Sequence, residues 1–231
     1  ALAATWNRAL AYETGKLLGK EARGRGKDMI LAPGINIMRT PLCGRSFEYM
    51  GEDPYLVSEM VVPLVQGIEE NDVSSCVKHF AVNNQETRRL DVDVDVSERA
   101  LREIYLPGFE AAVRRGKAKG IMGAYNKLHG THCCHHDELL NGILRGEWGF
   151  DGITVSDWGG VHDTKEALMN GLDMEMSVTN DFDAYYMAEP LLKMIESGEV
   201  DRKTALAKID EKVRHILNVM NRLHMLDGER S

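Results

Sequence analysis

Long apolar runs are missing from this 231-residue chain, and no stretch approaches the length of a membrane span, so no transmembrane segment is expected. The opening Ala1-Leu-Ala-Ala-Thr-Trp6 carries neither a basic leader nor a signal pattern. Basic charge is also short: Lys and Arg number 28 against 36 Asp and Glu, a formal charge of −8. No basic patch interleaves with aromatics, which argues against nucleic acid and anionic membrane as partners. Cysteine is scarce. Cys43, Cys76, Cys133 and Cys134 are too few and too irregularly spaced for a disulfide scaffold, so free thiols are expected. These absences leave the compartment open, with the cytoplasm slightly favoured. No linker, low-complexity tract or internal repeat divides residues 1–231, and 43% apolar residues suffice for one large α/β core.

Hydrophobic periodicity reads as helices over residues 6–23, 55–70, 97–115, 137–147, 163–170, 184–197 and 202–224. Strand-like runs fall between most of them, at residues 29–32, 75–77, 120–123, 152–155 and 172–176. Strands alternating with helices imply a parallel sheet, closed as a β/α barrel or left open as a doubly wound fold. Reactive residues follow nearly every strand: Arg45, then Lys78-His79, then Met122 with Tyr125, then Asp157-Trp158, then Glu175. A barrel gathers strand ends onto one face, whereas a doubly wound sheet concentrates its contacts at one switch point, so the (β/α)8-type TIM barrel is favoured. With five strands legible and a helix at the start, the barrel is expected to be incomplete or irregular at its N-terminus. The final Asp227-Gly-Glu-Arg-Ser231 reads as a frayed exit from the last helix.

In Gly152-Ile-Thr-Val-Ser-Asp-Trp-Gly-Gly160 a β-branched run meets a carboxylate, an indole and two glycines. A buried carboxylate without partners costs several kcal/mol, so Asp157 needs cationic or hydrogen-bonding neighbours, or else sits idle at the surface. Lys78-His79-Phe80, followed by Asn83-Asn-Gln-Glu86, packs a cation, an imidazole, three amides and a carboxylate into nine residues. That density suits a polyhydroxylated ligand, with Trp158 available to pack on a sugar ring. Lys78 alone would equally serve as an ion pair to a strand-end acid, and His79 as a hydrogen-bonded core histidine. Arg45 lies in a long loop, Pro41 to Tyr55, where it either points inward or staples the loop through Glu48 or Asp53.

Gly34-Ile-Asn-Ile with Arg39-Thr-Pro-Leu-Cys-Gly-Arg45, Phe47-Glu-Tyr with Glu52-Asp-Pro-Tyr55, Lys78-His-Phe-Ala-Val-Asn-Asn-Gln-Glu86, Met122-Gly-Ala-Tyr-Asn126 and Val155-Ser-Asp-Trp-Gly159 resemble, in order, glycoside hydrolase family 3. The resemblance is to the N-terminal barrel domain of the β-glucosidase branch and spans nearly the whole chain. It implies a retaining β-glycosidase, most simply one that releases non-reducing-end glucose, with β-xylosidase as the alternative within the family. Asp157 would then be the nucleophile. Trp158 would border the leaving-group subsite, Arg45, Lys78 and His79 would bind sugar hydroxyls, and Met122 and Tyr125 would line the same pocket, with Glu86 a possible neighbour. No cofactor is implied. The implied partners are a β-linked glucoside or oligosaccharide and a further α/β domain of the same protein, because the acid/base of β-glucosidase relatives comes from a separate domain.

Two family features have no counterpart here: an upstream strand ending in a sugar-gripping aspartate, and that acid/base. The chain is therefore expected to be a fragment of a longer protein and, alone, a sugar-binding or catalytically impaired barrel. The hexosaminidase branch carries a Gly-His-Gly loop where this chain has Asn83-Asn-Gln-Glu86. Three further clusters are discounted. His129, His132, Cys133, Cys134, His135 and His136 lie too close together in sequence to converge on one ion, so no metal site is expected. Asp91-Val-Asp-Val-Asp-Val96 lacks the glycine and terminal glutamate of a calcium loop and reads as a solvated edge strand. Gly15 to Gly26 lacks phosphate-loop spacing and reads as a helix and its exit.

Overall fold

A computed structural model describes residues 1–226; the expected frayed end, Asp227 to Ser231, lies outside the described residues. In chain order come α1 (Arg8–Gly24), β1 (Met29–Ile30), α2 (Pro54–Glu69), β2 (Ser74–Phe80), β3 (Asp93–Val94), α3 (Glu98–Ala100) and α4 (Pro107–Arg114). Then follow β4 (Gly120–Gly123), β5 (Lys127–Leu128), β6 (Thr131–His132), a π-helical segment Glu138–Glu147, β7 (Ile153–Val155), α5 (Thr164–Met169), α6 (Glu189–Glu196) and α7 (Arg202–Arg222). Asn7, Asp53, Asp163 and Asp201 cap α1, α2, α5 and α7 through their side chains, each satisfying a backbone N–H left over at a helix start.

The main sheet runs β1-β2-β4-β7, all parallel, with Met29 beside Ser74, Cys76 beside Gly120 and Gly120 beside Ile153. Spatial order follows sequence order without a switch point, which is the barrel arrangement and not the doubly wound one. A single bridge, Val155 to Met174, extends the sheet at one edge. Among the described residues the sheet stays open, so the fold is an incomplete barrel. A small sheet, β3-β5-β6, stands beside it; β3 lies at its edge with Asp93 exposed, as alternating Asp and Val imply.

One face of the main sheet carries Val77 and Ile121, packed with Phe80 against Val61 and Val65 of α2, Phe109 of α4 and Ile143 of the π-helical segment. Against the other, Cys76, Met122, Ile153 and Val155 meet Val219 and Leu223 at the end of α7. Fully burying side chains of this size contributes about 1.5–3 kcal/mol apiece. Three expectations fail in detail. Residues 97–115 form α3, a π-helical stretch Leu101–Tyr105 and α4, because Pro107 has no N–H to continue the ladder and starts a new helix. Residues 172–176 make only the Met174 bridge, and the helix expected from residue 184 begins at Glu189.

Candidate active site

β2 runs through Lys78 and His79 to Phe80, so both side chains leave from the strand itself. His79 is 1% exposed and held from two sides. Its N–H donates to Asn36 Oδ1 at 2.8 Å, and its carbonyl accepts from Asn36 Nδ2 at 2.8 Å. Tyr49 Oη lies 3.3 Å from its Nδ1 and accepts from Asn83 Nδ2 at 3.3 Å. Nδ1 also lies 3.4 Å from Asn36 Oδ1, so a phenol and an amide oxygen both hold this edge of the ring. The other nitrogen, Nε2, points at Asp157 Oδ2, 3.6 Å away. Burial, reinforced by Arg45, Lys78 and Arg89, drives the imidazole's pKa down to about 2. His79 is thus neutral, and its approach to Asp157 is not an ion pair.

Asp157 follows β7 by two residues and is 5% exposed. Its Oδ1 accepts the Trp158 N–H at 2.9 Å, and the Tyr125 hydroxyl stands beside the carboxylate. Oδ2 is buried without a hydrogen-bond partner. Burial raises the carboxyl's pKa, opposed by the Trp158 N–H, the Tyr125 hydroxyl, Arg45 and Arg89. Burial and the Asp157 charge push the Tyr125 phenol up to about 12, so it stays a donor. The sharp turn after Asp157 depends on two glycines: Gly159 sits at φ +72, and a side chain on Gly160 would meet Cys134 Sγ at 2.7 Å.

A second polar group flanks this one. Glu48 receives Arg45 Nε at 2.5 Å on one oxygen and has Lys78 Nζ at 3.7 Å from the other. Arg45 therefore both staples its loop and extends its charge to His79 and Asp157. Trp158 is 40% exposed, with its indole available at the rim. Met122 is 1% exposed among the apolar residues under α7. Glu86 pairs with Arg89 at 2.7 Å, and its other oxygen is buried and unpartnered. Of the three amides, Asn83 orients Tyr49 and Asn84 donates to the Ile37 carbonyl, so both hold protein groups in place.

Asn36, Tyr49 and Arg89 were not singled out from the sequence, whereas Glu48 is one of the two anchors expected for Arg45. Asn36 and Tyr49 lie 43 and 30 residues from the histidine they hold, a separation no local motif signals. Glu175, another strand-end acid, accepts the Tyr186 and Met187 N–H groups and stands apart from these contacts. The histidine-rich segment disperses. His132 stacks on His162 with ring centroids 3.8 Å apart, His135 approaches Glu166 at 2.6 Å, His129 meets the Val96 carbonyl, and Cys134 bonds the Ala124 carbonyl. Among the described residues, no three His, Cys, Asp or Glu side chains are arranged to hold a metal ion.

Comparison with known proteins gives a consistent result. The profile described as "Glycosyl hydrolase family 3 N terminal domain" matches residues 1–219. Beta-glucosidase BoGH3A of Bacteroides ovatus is 53% identical over 233 residues, covering 97% of this chain and 31% of the relative. An exo-alpha-(1->6)-L-arabinopyranosidase of Bifidobacterium longum is 41% identical over 223 residues, covering 95% of this chain and 29% of that protein. The structure of beta-glucosidase 3B from Thermotoga neapolitana in complex with glucose superposes with a TM-score of 0.90 at 44% identity, covering 99% of this chain and 32% of that one. The chain spans under a third of the length of these relatives.

Proposed function

Given that this chain belongs to glycosyl hydrolase family 3, we propose that it is the barrel part of a retaining β-glycosidase, with a β-glucoside as substrate and Asp157 as nucleophile. One observation carries the reading: Oδ1 of Asp157 is fixed by the Trp158 N–H, while Oδ2 is buried, unpartnered and beside a neutral His79. A nucleophile needs one oxygen held and one free to attack.

In this reading Oδ2 attacks the anomeric carbon as the aglycone oxygen leaves with a proton, and water later cleaves the glycosyl ester. The neutral His79 offers its Nε2 edge to a sugar hydroxyl, and Lys78 and Arg45, oriented by Glu48, offer charge-assisted hydrogen bonds to others. Each such bond is worth about 1.5–3 kcal/mol. Trp158 packs at the leaving-group side. The proton donor comes from a further α/β domain of the same protein, a reading supported by the share of the relatives that this chain spans. In a retaining pair the two carboxyl groups stand about 5 to 5.5 Å apart.

The test is the anomer first released. In the complete protein, proton NMR of early aryl β-glucoside hydrolysis is expected to show β-glucose before mutarotation. Asp157→Gly supplied with azide is expected to yield α-glucosyl azide. First release of α-glucose, or azide rescue through another carboxylate, would refute the assignment. A preference for aryl β-xyloside would replace glucoside with xyloside and leave the nucleophile in place.

A further inference from the structure

The mechanism leaves Arg89 unused. It lies in the turn after the amide run, next to Arg88. Arg88 is exposed, whereas Arg89 turns inward and places its guanidinium 4.8 Å from the centre of the Tyr125 ring. Nη1 of Arg89 is 2.7 Å from Glu86 Oε2, so the side chain is anchored at one end and stacked at the other. The ring it covers belongs to Tyr125, whose hydroxyl stands beside Asp157 and favours its ionised form. An Arg plane on an aromatic face is a directional contact that a lysine reproduces poorly.

We propose that Arg89 is a positioning residue for the nucleophile: anchored by Glu86, it fixes the Tyr125 phenol against Asp157 and supplies a standing positive charge behind the carboxylate. It acts through Tyr125 and through space without touching the Asp157 carboxylate. Glu86 thereby acquires a role as the anchor of Arg89. The groups facing Asp157 are His79 from β2, Tyr125 from the chain after β4, Arg45 from its loop, Arg89 from the turn, and the Cys76 and Cys134 thiols. His79 is neutral, and burial drives both thiols upward, so Arg45 and Arg89 are the cations that favour ionised Asp157. Arg45 is paired to Glu48 and Arg89 to Glu86, but Arg45 stands among the proposed sugar-binding groups and Arg89 does not, so removing Arg89 is the change that leaves those contacts in place.

The inference rests on Asp157 being the nucleophile, and the experiment separates the two. Inactivation of the complete protein by 2,4-dinitrophenyl 2-deoxy-2-fluoro-β-glucoside needs no proton donor, so its acid limb reports ionisation of the nucleophile. For Arg89→Met the limb is expected to move up by about half to one pH unit, the sign that loss of a nearby cation imposes on a carboxyl. Arg88→Asn, a charge removed from the exposed neighbour, is expected to leave it in place. Arg89→Lys keeps the charge but not the planar stack. Its limb is expected to stay within about 0.2 unit while inactivation slows about three- to tenfold, and it carries the test should Arg89→Met fail to fold. An unmoved limb in Arg89→Met, an equal shift in Arg88→Asn, or wild-type behaviour in Arg89→Lys would overturn the role of Arg89. Label on a residue other than Asp157 would instead overturn the reading of the site.

Discussion

Two regions of this chain are equally rich in reactive side chains in sequence and behave oppositely in space. Lys78, His79, Tyr125 and Asp157 are drawn from strand ends 79 residues apart, yet His79, held by Tyr49 and Asn36, comes within 3.6 Å of an unpartnered Asp157 oxygen, and Lys78, beside Glu48, flanks it. His129 to His136 sit within eight residues, and their side chains go to different partners: a stacked ring, a carboxylate and backbone carbonyls. Parallel strands aim distant residues at one place, whereas a hairpin followed by a 3₁₀ turn sends neighbours outward in turn. Proximity in sequence is a poor guide to convergence; a shared sheet end is a better one.

The contrast is broken most directly by paired substitutions. Asp157→Asn should lower kcat on the order of 10⁴-fold, whereas His162→Gln should stay within about threefold in the same aryl glucoside assay. Because burial raises the Asp157 pKa, its ionised form costs folding stability above the ordinary carboxylate range. Asp157→Asn should therefore melt no lower than wild type at pH 7. A comparable activity loss in both variants would erase the distinction between the regions.

Next in size, His79→Ala should lower kcat/KM about 10²-fold and stability by about 1–3 kcal/mol, since Tyr49 and Asn36 lose their ring partner in a buried site. Denaturant unfolding and steady-state kinetics read the two effects separately. His79→Gln, able to accept at one end and donate at the other, should recover part of both.

Acid pH sharpens the comparison further. His132, His135, His136 and His162 are all held below the ordinary imidazole value, chiefly by burial, with His162 at about 4. A lowered pKa means the fold prefers the neutral ring. The stability this group supplies is complete above pH about 6.5 and is lost as pH falls toward 4. His162→Gln should flatten that loss in melting temperature. The acid limb of kcat/KM should meanwhile stand above the ordinary aspartate range and be unmoved by His162→Gln, because it belongs to Asp157. The smallest effect concerns metal: dialysis against a chelator should change neither activity nor melting temperature, and a fall in either would point to an ion held by the histidine segment.

Much of the architecture was legible because alternating apolar runs and helix caps carry it. The strand at Gly120–Gly123 and the acid after Ile153–Val155 follow from their residues. The two-residue strands β5 and β6 were not, since such short runs have no period to read. Of the site, the strand-end groups stood out. Glu48, three residues from Arg45, was also legible as its anchor, but Asn36 and Tyr49, which hold His79, come from the chain between β1 and α2 and are placed by tertiary packing. Arg89 was hidden beside Arg88, because which of two adjacent arginines turns inward depends on a turn with φ +50 at Arg88.

The central claim is that Asp157 is the carboxylate that bonds to the sugar, and peptide mapping tests it. The complete protein inactivated with the 2-fluoroglucoside should carry one fluoroglucosyl mass increment on the peptide holding Ser156-Asp157-Trp158, and Asp157→Asn should carry none. An increment on a peptide holding Glu48, Glu86 or Glu175 would contradict it.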